Sequence, residues 1–448
     1  MVADLSGEGL NFGDKRLNLR AHMLVNLLST DPALSFPKMA DDWGALKALY
    51  RFMSNRKVTH HKILEPHFKQ TALRCASVPI VLAVQDTTFL NFQNHPATEG
   101  MGPTHNRNTD GWGMLVHSVF AVNGQTKAPL GLLHQNVFVR KGWYSEKETY
   151  CERIKRPRES DKWFKGSKYV KERLPEPQRI LQVADREADI FFFLKETIES
   201  GQGFVIRATR NRSTEKGYLF EEIKHAHLVG TEHFSVPHKG NRKVRIAKIE
   251  LRSCRVRLLP PKVVKHQGDV LSVNVLIIEE VEAPENVEPM YWILLTSEPV
   301  SDFNSAWTVM GYYQARWMIE EFHKGLKTGC QMEKRQLACR SALENALGLF
   351  SIITIQLLYL RYLAAQDNPS IDNGGLTSSQ IDILKSKFPK ESQILDSKRI
   401  LFLVARLGGF IGRKSDGHPG WQTLMHGMYE LLLMDHGFHL AQKLMGKG

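Results

Sequence analysis

Apolar residues recur at three-and-four spacing in HMLVNLLS (22–29) and WGALKALYRFMS (43–54). That spacing predicts two amphipathic helices, with Pro32 and Pro37 breaking the run between them. The texture changes at VPIVLAVQDTTFLNF (78–92), an apolar run that predicts a buried strand closed by Asp86. MLVHSVFAV and PLGLLHQNVFV predict two more strands about a turn at Asn123 and Gly124. RILQVADREADIFFFLKETIES (179–200) predicts a buried strand, an acid at its end (Asp185) and a helix, and FVIRATR (204–210) a further strand. From about 218 to 289 the pattern is strand and turn (FSVPH, KVRIAKIELRS, RVRLL, LSVNVLIIEEV) with no helical period. YWILLTS (291–297) is again a strand, so the β-rich stretch sits inside an α/β pattern, as an insertion would. After Ser301 and Asp302, a natural N-cap, one long helix is predicted through Lys327. The chain beyond about 341 reads helical, with a polar break at 368–379.

Composition narrows the class. At roughly 150 residues per domain, 448 residues suggest about three domains. Hydrophobic residues at 42% and charged residues at 24% exclude a disordered, collagenous or membrane-bundle chain. The uncharged stretch 345–360 is interrupted by Ser351, Thr354 and Gln356. It falls short of the ~18 apolar residues of a membrane span and reads as a buried helix. The first twenty residues carry no basic-then-apolar leader pattern, and the five cysteines are scattered without a C-x-x-C pair. A cytoplasmic protein without a disulfide framework or structural zinc is expected.

Lys and Arg total 60 against 47 acids, a net charge of +13, which favours a polyanionic partner. The excess is blocked: net +6 over 140–179, interleaved with Trp143, Tyr144, Trp163, Phe164 and Tyr169, and net +8 over 207–257. Such blocks suit nucleic acid, with salt-dependent affinity, and equally suit solvated helix faces. The N-terminal helices add Lys15, Arg16, Arg20, Arg51, Arg56 and Lys57.

Three acids stand out by position. Asp86 and Asp185 close buried strands, where an α/β sheet presents ligands, and Glu320 lies mid-helix. Converging carboxylates supply the hard oxygens that Mg²⁺ or Mn²⁺ prefers, and two such ions can clamp an in-line phosphoryl displacement. Taken singly, each has a plainer reading: Asp86 as a turn residue, Asp185 as an N-cap, Glu320 as a solvated acid paired with Lys324. In YYQARWMIEEFHKGLK, however, Tyr313, Arg316, Glu320 and Lys327 fall within about 60° of one helix face, and Lys324 extends it. A core face would be apolar. Cations beside a carboxylate keep it ionised and offer contacts to phosphate oxygens.

The motif Y-x2-R-x3-E-x6-K, with VQDTT and ADREADI upstream, resembles the bacterial cut-and-paste DDE transposases of the insertion-sequence-four family. The likeness extends in order through GDKRL, ALYRF, GLLHQ, YWILLTSEPV, RWMIEEFHK and ARLGGF. It implies an α/β, ribonuclease-H-like mixed sheet with a β-rich insertion, flanked by N- and C-terminal helical regions. It divides the chain into a transposon-end-binding domain (1–70), a catalytic domain (71–360, insertion about 211–290) and a helical dimerisation region (361–448). Asp86, Asp185 and Glu320 would be the catalytic, metal-binding triad for Mg²⁺, with Mn²⁺ substituting. Tyr313, Arg316, Lys324, Lys327, Arg207 and Arg16 would contact DNA, and Trp292 would stack on a flipped base. The implied partners are duplex DNA with terminal inverted repeats, target DNA and a second copy of the chain in the synaptic complex, with no membrane. The implied setting is the bacterial cytoplasm, at the nucleoid when acting. The segment DGWGMLVHS around Trp112 departs from the family pattern, and the N-terminal matches are scattered. A nuclease without strand transfer, or a non-catalytic repressor descended from a transposase, remain the alternatives.

Overall fold

The computed structural model describes residues 9–30, 35–40, 42–104, 111–140, 158–174, 178–236, 245–261, 270–366, 376–392, 395–413 and 418–445. Trp143, Tyr144 and Cys151 lie outside them, as does most of the polar break at 368–379. The N-terminal region is helical: α1 (Lys15–Thr30), α2 (Trp43–Met53) and α3 (His60–Ala76). Asp42 and Thr59 cap the last two by accepting the Ala45 and Lys62 amides.

Twelve strands then form one mixed sheet. They are β1 (Ile80–Asn91), β2 (Gly102–Pro103), β3 (Trp112–Asn123), β4 (Pro129–Phe138), β5 (Arg179–Ala184), β6 (Gly203–Arg207), β7 (Ser213–Thr214), β8 (Gly217–Tyr218), β9 (His227–Val236), β10 (Arg245–Leu258), β11 (Leu271–Val281) and β12 (Tyr291–Thr296). One half of the sheet reads β4-β3-β1-β5-β6: three antiparallel strands, then two parallel ones added beside β1. β12 pairs antiparallel with β6, and β11, β10 and β9 follow in turn. The β-rich insertion therefore extends the same sheet. Two strands in the sequence pattern, about KVRIAKIELRS and RVRLL, join in the single strand β10, which pairs without a break along β11 while its pairing with β9 shifts register at Leu251–Arg252.

Strand alternation divides the core. Leu82, Val84, Leu181, Val183 and Val205 face one way, into a core shared with α6 (Phe303–Gln314), α7 (Trp317–Lys324) and α8 (Arg340–Ala364). Val81, Ala83, Phe204 and Ile206 face the other way, under α4 (Asp161–Arg173) and α5 (Phe191–Glu199). Helix α8 is long and apolar enough to cross a membrane, yet 83% of that window is buried inside the fold. The C-terminal helices α9 (Ser378–Lys387), α10 (Ser397–Leu407) and α11 (Trp421–Met445) pack together, and α10 packs on α8.

Two expectations need correction. Asp86 does not close its strand: β1 continues five residues further, to Asn91, because β3 stays paired with it as far as Asn91↔Gly113. Nor is the helix from Asp302 to Lys327 continuous. After α6 the backbone tightens, with the Arg316 amide donating to Tyr313 O, before α7 begins. Beyond Lys324 it widens into a π-turn, Gly325–Gly329, closed by the Cys330 amide on Gly325 O at 2.9 Å. Both glycines of that turn lie against the C-terminal helix: a Cβ at Gly325 would stand 3.0 Å from the Trp421 ring, and one at Gly329 2.9 Å from Met425.

Candidate active site

The parallel pairing of β1 with β5 ends at Gln85↔Ala184, so Asp86 and Asp185 are the first residues beyond it, side by side. By alternation Asp86 shares the face of Leu82 and Val84, and Asp185, still extended, that of Leu181 and Val183. That is the face on which α7 lies against β1 and β3. Two neighbouring strands and one helix thus turn three carboxylates, Asp86, Asp185 and Glu320, toward one region, each half-buried.

Arg316 stands in the middle of them. Its guanidinium pairs with Glu320, lies over the Tyr313 ring at 5.7 Å, and feels the charges of Asp86 and Asp185. Burial alone would raise the Asp86 carboxyl, but His323, the Thr87 amide and Arg316 outweigh it and hold it below the ordinary value. Asp185 goes the other way: burial, reinforced by repulsion from Asp86 and Glu187, lifts it despite the Glu187 amide. It also caps a short 3₁₀ turn by accepting that amide at 2.9 Å. Among the described residues no three His, Cys, Asp or Glu side chains form a ready-made metal cage, and Glu320 is paired with Arg316. The donor set still fits a divalent cation: hard carboxylate oxygens, two of them adjacent and mutually repelling.

The other predicted positions scatter around this centre. Tyr313 is buried, and Trp292, half-buried on β12, meets it edge-to-face at 5.3 Å. Arg207, at the end of β6, donates to Tyr291 O at 3.1 Å and lines a cleft with Arg186, Phe220 and Tyr291. Lys324 is exposed beside Glu321, and Lys327 is half-exposed on the π-turn. Arg16 is exposed on α1, away from the carboxylates in sequence and element, with Lys15, Arg51, Arg56 and Lys57 also open to solvent. Among the described aromatics of the first basic block, Trp163 is buried against His117, Phe164 packs on Phe193, and Tyr169 stacks on His134. Among the described cations of the second block several are already paired, as Arg245 with Glu280, Lys248 with Glu282 and Arg257 with Glu215.

Sequence reasoning missed the polar residues behind the carboxylates. His323 bridges Asp86 and Ser118, and Gln85 is wedged among His117, Gln182 and Trp163 on the opposite face. His323 lay in plain view three residues after Glu320, but the face that contains it reads as apolar core.

Comparison with known families settles the class. The chain matches the family described as "Transposase DNA-binding" over residues 3–58, "Transposase DDE domain" over 173–355, and "Transposase Tn5 dimerisation domain" over 379–448. The chain belongs to the Tn5-like DDE transposases. Asp185 and Glu320 fall within the matched DDE domain, and Asp86 precedes it. A DDE transposase is a DNA-cleaving and DNA-transferring enzyme of a family that uses divalent metal ions, and its sheet is of the ribonuclease-H-like kind. A solved structure described as "Cryo-EM structure of piggyBac transposase synaptic complex with hairpin DNA (SNHP)" aligns over 93% of this transposase and 82% of that chain. Its identity is 11% and its TM-score 0.37, a likeness too slight to bear on function.

Proposed function

We propose that this transposase moves an insertion sequence by cut and paste. The observation that supports it most is the Gln85↔Ala184 register, which sets Asp86 beside Asp185 on the face covered by the helix carrying Arg316 and Glu320. Asp86, Asp185 and Glu320 would hold Mg²⁺, or Mn²⁺ in its place, which when bound stabilises negative charge on a phosphate undergoing displacement. Arg316, Lys324, Lys327 and Arg207 hold the flanking phosphates, with Tyr313 beneath Arg316 fixing its plane. Release of Glu320 from Arg316 frees both for these tasks.

Nicking by water breaks one phosphodiester and leaves a 3′-hydroxyl. That hydroxyl attacks a phosphodiester of the opposite strand, which breaks as the new one forms, so the flanking DNA leaves with its own 3′-hydroxyl and the end closes as a hairpin, relieved by unstacking a base onto Trp292. Hydrolysis reopens the hairpin, and the 3′-hydroxyl attacks target DNA, exchanging one phosphodiester for another. Arg16 and its neighbours in a domain of residues 1–70 read the terminal inverted repeat. Residues 71–360, with the insertion at about 211–290, carry the chemistry, and 361–448 pair two copies in the synaptic complex. The enzyme acts in the cytoplasm, at the nucleoid.

The test is purified protein with Mg²⁺ and a labelled duplex bearing the element's own end, resolved on a denaturing gel. A hairpin followed by joined product supports cut and paste. Nicks without joining would indicate a nuclease, and binding without product in either Mg²⁺ or Mn²⁺ a repressor.

A further inference from the structure

Asp86 has a neighbour to which phosphate transfer assigns no task. His323, on α7 and 5% exposed, turns Nδ1 toward Asp86 Oδ2 at 3.7 Å and Nε2 toward Ser118 Oγ at 3.2 Å. Ser118 is the residue directly across from Asp86 in β3, and Gln135 is directly across from Ser118 in β4. Gln135 Nε2 donates to Ser118 Oγ at 3.2 Å, while its Oε1 accepts from Ser351 Oγ at 3.1 Å and His60 Nε2 at 2.8 Å. A single polar chain thus leads from Asp86 through three side chains to helices α8 and α3, with Ser118, Gln135, His323 and Ser351 all buried.

The direction of the hydrogens follows. With Ser118 Oγ receiving Gln135, its own hydroxyl hydrogen is free to go to His323 Nε2, and Nδ1 carries its hydrogen toward Asp86. The opposite orientation of the Gln135 amide would make Ser118 donate to Gln135, turn Nε2–H to Ser118, and aim the Nδ1 lone pair at a carboxylate, which is repulsive. We propose that His323 is a positioning residue: its Nδ1–H, held by the Ser118–Gln135 chain, fixes the Asp86 carboxylate in the orientation that takes a divalent cation. This rests on the assignment of Asp86 as a metal ligand made above. The ring cannot act as a base on DNA, since both nitrogens are engaged and the side chain is buried. At 3.7 Å the contact is longer than a full hydrogen bond, as such bonds commonly are until substrate is in place. The arrangement has the logic of outer-shell partners that orient metal ligands.

The experiment uses the full-length protein without DNA and counts free Mn²⁺ by electron paramagnetic resonance, so that no turnover is involved. His323→Leu is expected to weaken Mn²⁺ binding by about 10–100-fold, whereas His323→Asn, whose amide nitrogen can stand where Nδ1 does, should stay within about threefold of wild type. Melting curves and DNA binding control for folding. Should the Leu variant fail to fold, Ser118→Ala removes the ring's support instead and is expected to give an intermediate loss. A ¹⁵N-histidine spectrum, with His323 assigned by difference against His323→Asn, should show hydrogen on Nδ1. Unchanged Mn²⁺ affinity in a folded Leu or Ser118→Ala variant, or a bare Nδ1, overturns the proposal alone. Absence of Mn²⁺ binding by wild type overturns the metal assignment and the proposal with it.

Discussion

Asp86 and Asp185 differ in what surrounds them, and those surroundings set what substitution does. Asp86 is stabilised as an anion by His323, the Thr87 amide and Arg316, so Asp86→Asn removes a charge without leaving an apolar void. DNA binding should persist while nicking in Mg²⁺ falls by on the order of 10³-fold, read by gel shift and cleavage on one duplex. Retained cleavage would sink the assignment. Trp292 has two claims on it, the Tyr313 ring and a base. Since base stacking is worth about 1–3 kcal/mol, Trp292→Ala should slow hairpin closure by that amount and leave the first nick nearly intact. Equal loss of both steps would make Trp292 core. A third prediction concerns acid. Desolvation lowers His60 to about 4 and His134 to about 3, and takes His117 well below its ordinary 6.5. The unfolded chain takes up protons near 6.5 that these folded side chains refuse, so stability is lost as pH falls from about 6.5 toward those depressed values. Tm should drop steeply across that window; a flat profile from pH 7 to 5 would refute the burial argument.

At the scale of elements, the sheet was largely legible and the helix bearing Glu320 was not. β1, β3, β4, β5, β6, β11 and β12 coincide with apolar runs, because strands buried on both faces leave an unbroken signature. What periodicity could not give was where pairing stops. Asp86 reads as a strand end since an acid interrupts the apolar run, but its partner is the polar Ser118, and β3 carries the pairing onward. The face of Tyr313, Arg316, Glu320 and Lys327 was drawn on an ideal helix, and the backbone departs from ideality twice within it. At the second departure Gly325 and Gly329 pack closely against Thr354, Trp421 and Met425, contacts that no local pattern reveals. Gly325→Ala tests them: the new methyl would meet Thr354 Cγ2 at 2.5 Å, and overpacking of this kind costs about 1–3 kcal/mol, measurable by urea unfolding. Thr354→Ser, which keeps the hydroxyl and removes that methyl, should recover part of the loss in the double variant. Additive effects would mean that the contact is not what constrains the turn.

At the scale of the whole molecule, the net positive charge agrees with a DNA-binding family, but the charge blocks do not mark which cations are free. Cations that look free in sequence find acids across neighbouring strands, a pairing set by register and invisible in a one-dimensional count. The insertion is a lateral extension whose Val256, Leu258, Val273 and Val275 complete the core over Phe191 and Phe204. Replacing residues 211–290 by a short linker should therefore expose the β12 edge and half of that core, and yield aggregated protein by size exclusion. A monodisperse product would show the insertion to be dispensable for folding. The single sheet also bears on how the chain is made. Asp86 cannot meet Asp185 until β5 has been synthesised, and Glu320 arrives later still. At roughly 5–20 residues per second, the roughly 230 residues from Asp86 to Glu320 take on the order of 10–50 s. Throughout that interval the ribosome carries a chain that already has its N-terminal helices but lacks a complete set of carboxylates. On the proposed roles of these carboxylates, a prematurely terminated product would occupy DNA without the means to break it.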